Sequence, residues 1–460
     1  MSRELKPYPK YKDSGVKWIG EIPGTWEVSK IKYLVKFNEL TLSENVSPMM
    51  NIQYIDIGSI DSTGNILNAE NMKFEDAPSR ARRILRKDDT IISTVRTYLR
   101  AIATINVDKK NLIGSTGFAV LTPTEKVNST YLSFLLHTST YIDQIVSRST
   151  GVSYPAITSN ELSNIECIMP DKLNQDKIAI FLMKKTSEID ALIADKEKLI
   201  SLLEEKRQAV ITETVTKGLD PNVKMKDSGI EWIGEIPVHW EVIKIRFLGK
   251  LQNGISKGGA YFGKGDPFVS YSNVYNNMII ENNTEELLES TDQEKNLYSV
   301  EKGDVFFTRT SETVEEIAIA STCVESIENA TFAGFLIRFR PNKNYLYDGF
   351  SKYYFRSHLR ENYFIKEMNL VTRASLNQTV LKNYQVILPP LGEQVKIGEY
   401  LDEKNSYFTN LIQIVSSQIS KLKEYRESLI YEAVTGKIDL RGFGEVSEPL
   451  VAERGETYGN

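Results

Sequence analysis

The side chains able to make or break covalent bonds are few in this chain and stand apart. Cys167 and Cys323 have no second thiol or histidine near them, so both suit small buried hydrophobes better than a metal site or a disulfide framework. His137, His239 and His358 lack the paired spacing of metal ligands. A phosphate loop is missing: the nearest string, GGAYFGKGD at 258–266, has no closing Lys-Ser or Lys-Thr. There is no dinucleotide glycine fingerprint. Nor is there an Asn/Asp-Pro-Pro-aromatic tetrapeptide for holding a target base; Pro389-Pro390 runs into Leu391 instead. Asp171 and the Glu204-Glu205 pair lie about 33 residues apart on one expected helix, some ~50 Å, and cannot share a metal. A stand-alone methyltransferase or nuclease would need a motif that this chain does not contain, and no catalytic, cofactor-binding or metal site is expected.

What the chain offers instead is non-covalent recognition. SRARRILRKDD sets Arg80, Arg82, Arg83, Arg86 and Lys87 close together, either as a solvated charge run or as a phosphate-facing patch. STVRTYLRA follows, and strand alternation would place Thr94, Arg96, Tyr98 and Arg100 on one face of an extended segment. Arginine grips guanine O6 and N7 as a fork, and hydroxyls read several base edges; a plain surface strand with charged gatekeepers is the alternative. The matching place further on, FFTRTSETVEE, offers Thr308, Arg309, Thr310 and Ser311. Two later polar turns, RSTGVSYPAI at 148–157 and VTRASLNQ at 371–378, carry Tyr154 and Arg373 at aligned positions. QNGISKGGAYFGKG at 252–265 reads either as a loop ordered by DNA or as a loop with no partner. The net charge of −5 argues against coating nucleic acid by bulk electrostatics. It leaves local patches open, with a partner supplying much of the phosphate grip.

The elements that must position these residues come in two copies. KDSGVKWIGEIPGTWEVSKIKYL from Lys12 returns from Lys226 as KDSGIEWIGEIPVHWEVIKIRFL, with 16 of 23 positions identical at a constant offset of 214. Fainter matches follow. YIDIGSI at 54–60 aligns with FVSYSNV at 268–274, DDTIISTVR at 88–96 with GDVFFTRTS at 303–311, and GFAVLTP at 117–123 with GFLIRFRP at 334–341. Each copy closes on a third match, MPDKLNQDKIAIF from Met169 against PPLGEQVKIGEYL from Pro389, anchored on Pro170 and Pro389 at an offset of 219.

After that match each copy reads as a long helix. Residues from about 173 to 215 hold no glycine or proline, and apolar residues recur at Ile189, Leu192, Leu199, Leu203 and Val210. The second helix gives Leu401, Phe408, Leu411, Val415, Leu422, Tyr425 and Leu429, also a heptad seam. Lys196 in one seam aligns with Val415 in the other, and Gln418 with Leu199. Such a stripe needs a partner, most simply the other copy's helix in antiparallel packing; the alternative is that each helix caps its own globule. The expected fold class is α+β: two similar α/β target-recognition domains separated by two long antiparallel helices forming a coiled coil, pseudo-two-fold symmetric. The expected domains are 1–168 and 219–387 for recognition, 169–218 and 388–440 for the helices, and a disordered tail at 441–460.

With 41% hydrophobic and 25% charged residues the composition is that of a soluble globular protein. No apolar run approaches the roughly 20 residues of a membrane span, and no signal peptide opens the chain, so a cytoplasmic location is expected.

Carried by the repeated KDSG…WIGEIP…WEV start, the PPLGEQ string at 389–394 and the two heptad helices, residues 10–440 resemble the DNA-specificity subunits of type I restriction–modification enzymes. PDKLNQ at 170–175 is a looser version of the second string. The resemblance implies that each recognition domain reads one half of a bipartite, asymmetric site on double-stranded DNA. It implies helices that set the spacing and dock two methyltransferase (modification) subunits. S-adenosylmethionine would come with those subunits, and ATP and Mg²⁺ with restriction/translocase subunits. A specificity subunit of a related phage-defence complex and a non-DNA protein-binding scaffold are the alternatives.

Overall fold

A computed structural model describes residues 6–43, 45–61, 64–282, 284–311, 317–367 and 374–443. The expected disordered tail therefore lies, from residue 444 on, outside the described residues. The chain divides into two compact units. One is Met1–Asp195 with Gln418–Asn460, and the other is Lys196–Ser417.

The strongest sequence repeat folds the same way in both units. In the first, Asp13 Oδ1 accepts the Gly15 N–H at 2.9 Å and Ser14 Oγ accepts the Val16 N–H at 3.1 Å. In the second, Asp227 and Ser228 do the same for Gly229 and Ile230 at 2.9 and 3.1 Å. Gly15 and Gly229 sit at φ of 73° and 72°, left-handed backbone that a side chain would strain. The turn closes a two-stranded hairpin, Tyr11–Asp13 with Glu21–Pro23 and Met225–Asp227 with Glu235–Pro237. Trp26 and Trp240 then enter their cores completely.

Beyond the hairpin each unit builds a four-stranded antiparallel sheet of one order, to which the second unit adds a parallel edge strand. In the first unit the order is Val35–Phe37, Phe118–Pro123, Thr90–Ser93, Ile102–Thr104. In the second it is Gly249–Asn253, Leu336–Pro341, Val305–Thr308, Ala320–Cys323, extended by Ile279–Ile280. Alternating β-branched and aromatic residues supply the buried faces: Ile91, Phe118 and Val120 in one, Val305, Phe307 and Phe339 in the other. Both thiols are buried, Cys167 on the strand Glu166–Met169 and Cys323 on Ala320–Cys323, and burial pushes each up to about 12, so neither is a nucleophile near neutral pH.

The long helices run over Lys172–Lys217 and Leu391–Val434. Each starts on a buried glutamine that clamps the preceding chain. Gln175 accepts the Asn128 N–H at 2.8 Å and donates to Pro170 O and Lys126 O at 2.9 and 3.3 Å. Gln394 accepts the Tyr347 N–H at 2.9 Å and donates to Pro389 O and Tyr345 O at 2.8 and 2.9 Å. The looser PDKLNQ string thus does the same work as PPLGEQ, because the glutamine and the proline carbonyl are what the clamp uses.

Each helix also ends in a unit different from the one in which it starts. Val215 joins the core around Trp240. Val434 O accepts from the Tyr131 hydroxyl at 3.3 Å and Gly436 O from the Tyr11 hydroxyl at 2.9 Å. Within the first unit the two helices are in contact, since Arg426 donates from Nε and Nη2 to the Asp190 carboxylate at 2.8 and 3.2 Å. Within the second, Arg207, Gln208 and Ile211 face Asn405 and Thr409 across one cavity. Rising numbers in one helix meet falling numbers in the other, which is antiparallel pairing rather than a helix capping its own globule.

Most of the expected seam faces inward: Ile189, Leu401, Phe408, Val415 and Leu429 are buried, and Leu203, Val210, Leu411 and Leu422 are half-buried. Leu192, Leu199 and Tyr425 are exposed, and Ile193 and Ile419 are buried beside the seam. Each helix carries apolar residues on adjacent faces, and one residue is a 100° rotation. The ends of the first helix are anchored by buried Ile178, Leu182 and Val215.

Candidate nucleic-acid interface

In the first unit the strand Thr90–Ser93 delivers the chain to a crossing with the loop at 148–157. Thr94 N–H and Oγ1 both donate to Gly117 O, at 2.8 and 2.9 Å, and Thr94 O accepts the Ile157 N–H at 2.9 Å. Val95 bridges Ala156, and Arg96 N–H donates to Pro155 O at 2.7 Å. The expected extended face ends there. Arg96 and Arg100 adopt left-handed φ of 51° and 55° on either side of a tight turn, Thr97–Leu99. Hydrogen bonding of Arg96 to the crossing loop bends the chain, so the two-residue period that would align Thr94, Arg96, Tyr98 and Arg100 is lost. Thr94 is instead half-buried and bonded to the sheet.

The crossing brings together two of the residues singled out from sequence. The Arg96 guanidinium lies 4.9 Å from the centroid of the Tyr154 ring, which is itself 65% exposed. Tyr98, 53% exposed, and Arg100 occupy the adjoining turn. Thr97 Oγ1 and Ser149 Oγ, 2.8 Å apart, tie that turn to the loop. The basic run at 80–87 does not form one patch. Arg80 Nε donates to the Tyr54 hydroxyl at 3.1 Å, Arg82 covers the Phe74 ring at 5.0 Å, and Arg83 bonds Thr41 Oγ1 at 3.4 Å. Burial lowers the Arg83 guanidinium. Arg86 and Lys87 remain exposed.

The second unit repeats the crossing bond for bond. Arg309 N–H donates to Phe335 O at 2.9 Å, and Arg309 O accepts the Leu376 N–H at 2.7 Å. Thr310 pairs with Ser375 and Ser311 with Ala374. Arg309 Nη1 reaches Gly334 O at 3.5 Å. Thr308, expected as a contact, is 0% exposed at the end of its strand, where Ser93 is likewise buried in the first unit. Arg373 lies outside the described residues. The glycine-rich loop is exposed over residues 258–265 and anchored by its lysines. Lys257 Nζ bonds Glu294 at 2.6 Å and Glu289 O at 2.7 Å, and Lys264 pairs with Glu289 at 2.8 Å. A Cβ on Gly254 would stand 2.1 Å from Ala333 O, so only glycine lets the loop lie against the turn that carries Phe335.

Sequence reasoning missed Phe335, which is exposed beside Arg309. Its only signal was the Ala333-Gly334-Phe335 string at a strand start, and a lone aromatic there is more often core. The histidines all serve local bonds: His137 to Ser133 O and Ile102 O, His239 to Glu393, His358 to Glu361. Among the described residues no group of three or more His, Cys, Asp and Glu could hold a metal ion, and no helix is long and apolar enough to cross a membrane.

Each unit thus has the same antiparallel sheet, an exposed crossing of two loops and a pair of long helix segments in contact. Comparison with known proteins agrees. The model of the type I restriction modification DNA specificity domain matches residues 23–202 and again 237–424, so the chain belongs to that family. It is similar to the EcoKI specificity subunit of Escherichia coli K12, 25% identical over 327 residues that cover 69% of this chain and 68% of the relative. The StySPI specificity subunit of Salmonella potsdam is 24% identical over 324 residues, covering 69% and 67%. Among solved structures, a chain from a type I restriction–modification system superposes with a TM-score of 0.71 at 21% identity, covering 91% of this chain and 99% of that one. The specificity subunit from Thermoanaerobacter tengcongensis gives 0.51 at 21% identity, covering 91% and 98%. At these identities the superpositions speak to the fold.

Proposed function

We propose that this chain is the sequence-specific DNA-recognition subunit of a type I restriction–modification enzyme and performs no covalent chemistry itself. Each unit reads one half of a bipartite, asymmetric site on double-stranded DNA. The paired helices set the spacing and dock two methyltransferase subunits. Those subunits bring S-adenosylmethionine, and restriction/translocase subunits bring ATP and Mg²⁺. The observation that carries the reading is the crossing built twice on identical backbone bonds with different side chains: Thr94, Arg96 and Tyr154 in one, Arg309 and Phe335 in the other. One scaffold with two side-chain sets suits two different short sequences. Exposed Leu192, Leu199 and Leu202 on one helix and Tyr407 and Ile414 on the other support an additional helical partner along the pair. In the first head Arg96 is the guanine reader, with Tyr154 holding its guanidinium in place and Tyr98 and Arg100 on the flank.

The experiment is methylation mapping of DNA modified by the chain with its methyltransferase partners. The expected motif has two unlike blocks separated by a gap of fixed length. A single uninterrupted motif, or none, would overturn the proposal.

A further inference from the structure

At the repeated crossing, the carbonyl that receives the central N–H comes from Gly117 in the first unit and from Phe335 in the second. The strand registers make the two positions equivalent: Phe118 lies opposite Ser93, and Leu336 lies opposite Thr308. One head thus has no side chain where the other places a phenyl ring, 65% exposed.

The backbone beneath that ring is held on several sides. Ala333 N–H donates to Val269 O at 3.0 Å, Gly334 N–H to Ile255 O at 2.7 Å, and Leu336 N–H to Ala333 O at 3.0 Å. Gly334 O accepts from Arg309 at 3.5 Å. A ring on so constrained a turn cannot retreat into the core, which is already filled by Phe306, Phe332 and Leu336. It stays in water until something apolar covers it.

Resting on the reading of the second unit as a DNA-reading head, we infer that Phe335 is a specificity-determining residue. It covers the C5 methyl of a thymine next to the base pair contacted by Arg309. The chemistry of a base edge narrows the occupant. In the major groove the thymine methyl is the apolar group that distinguishes one base pair from another, and a phenyl edge matches it. The adjoining guanidinium supplies the polar half of the same contact. The first head, with Gly117 here, reads no methyl at the corresponding place.

The test uses the full chain assembled with its methyltransferase partners and a duplex carrying its mapped site. Each thymine of the second half-site is replaced in turn by deoxyuridine, which deletes only the methyl. For the unmodified protein one replacement should weaken binding about fourfold, the value of one buried methyl-sized group. For Phe335→Ala the same replacement should have no further effect, and Phe335→Leu should restore sensitivity. First-half-site contacts and the melting temperature should stay unchanged, because the ring is exposed. Equal responses of the two proteins to every replacement would overturn the assignment, as would a second half-site made only of G·C pairs. Failure of the unmodified complex to prefer any duplex would instead sink the DNA-reading proposal beneath it.

Discussion

Replacing Arg96 by alanine and, separately, by glycine distinguishes its part in the fold from its part in recognition. Its left-handed φ of 51° costs a residue with a side chain about 1–2 kcal/mol. Stacking on exposed Tyr154 returns about 0.5–1 kcal/mol. Arg96→Ala loses the stacking and keeps the backbone cost, so the first unit should weaken by about 0.5–1 kcal/mol. Arg96→Gly loses the stacking as well but escapes the backbone cost, less about 0.4–1 kcal/mol of extra unfolded-chain entropy. Glycine should therefore be roughly 1 kcal/mol more stable than alanine, or about 2–4 °C in thermal unfolding. Recognition should not follow stability. A forked guanine contact contributes about 1–3 kcal/mol of discrimination, about 5- to 150-fold. Both variants should lose it at one position of one half-site and leave the other half-site intact in methylation mapping. The reasoning fails if glycine proves less stable than alanine, if glycine keeps the motif, or if both half-sites relax together.

Other perturbations probe the frame. Gln394→Leu strands the Tyr347 N–H and two carbonyls, and should cost about 1–3 kcal/mol in denaturant unfolding, with Gln175→Leu behaving alike. Asp190→Asn breaks the Arg426 pair between the helices; because both groups are partly exposed, the loss should stay below about 1 kcal/mol and vanish at high salt. Burial holds the His137 imidazole below its ordinary range, against bonds to Ser133 O and Ile102 O that favour its charged form; nearby Arg426 lowers it and Asp61 raises it. The unfolded chain then takes up the proton first, so stability is complete above about pH 6.5 and falls as pH drops below it, by at most about 1.4 kcal/mol per pH unit. His137→Leu should flatten that slope in a pH series of thermal melts.

Much of this was legible in the residues because it rests on local chemistry. The KDSG…W strings dictate their own turn: an Asx bond, a serine bond and a left-handed glycine need only neighbours in sequence. Their recurrence at a constant offset means two copies of one structure. The long helices follow from composition and period, and the proline–glutamine pair at their starts follows from the bonds that a buried amide must make. Tyr154 and Arg373 align by register alone, whereas the stacking of Arg96 on Tyr154 is visible only in the structure.

What the residues by themselves left open is whatever depends on chain brought from far away. Whether Arg96 lies on a strand or at a bend is decided by the Pro155 carbonyl, 59 positions on. In the first helix Ile193 rather than Leu192 is buried, a one-residue step that the apolar pattern alone leaves open. Thr308 lies in the core rather than at the surface because its strand is covered on both faces, which only the packing of the sheet decides. Repeat spacing and apolar period determined that this chain is a duplicated globule with two long helices. Only tertiary contact, which fixes backbone direction where two distant segments cross, decided which side chains each copy presents.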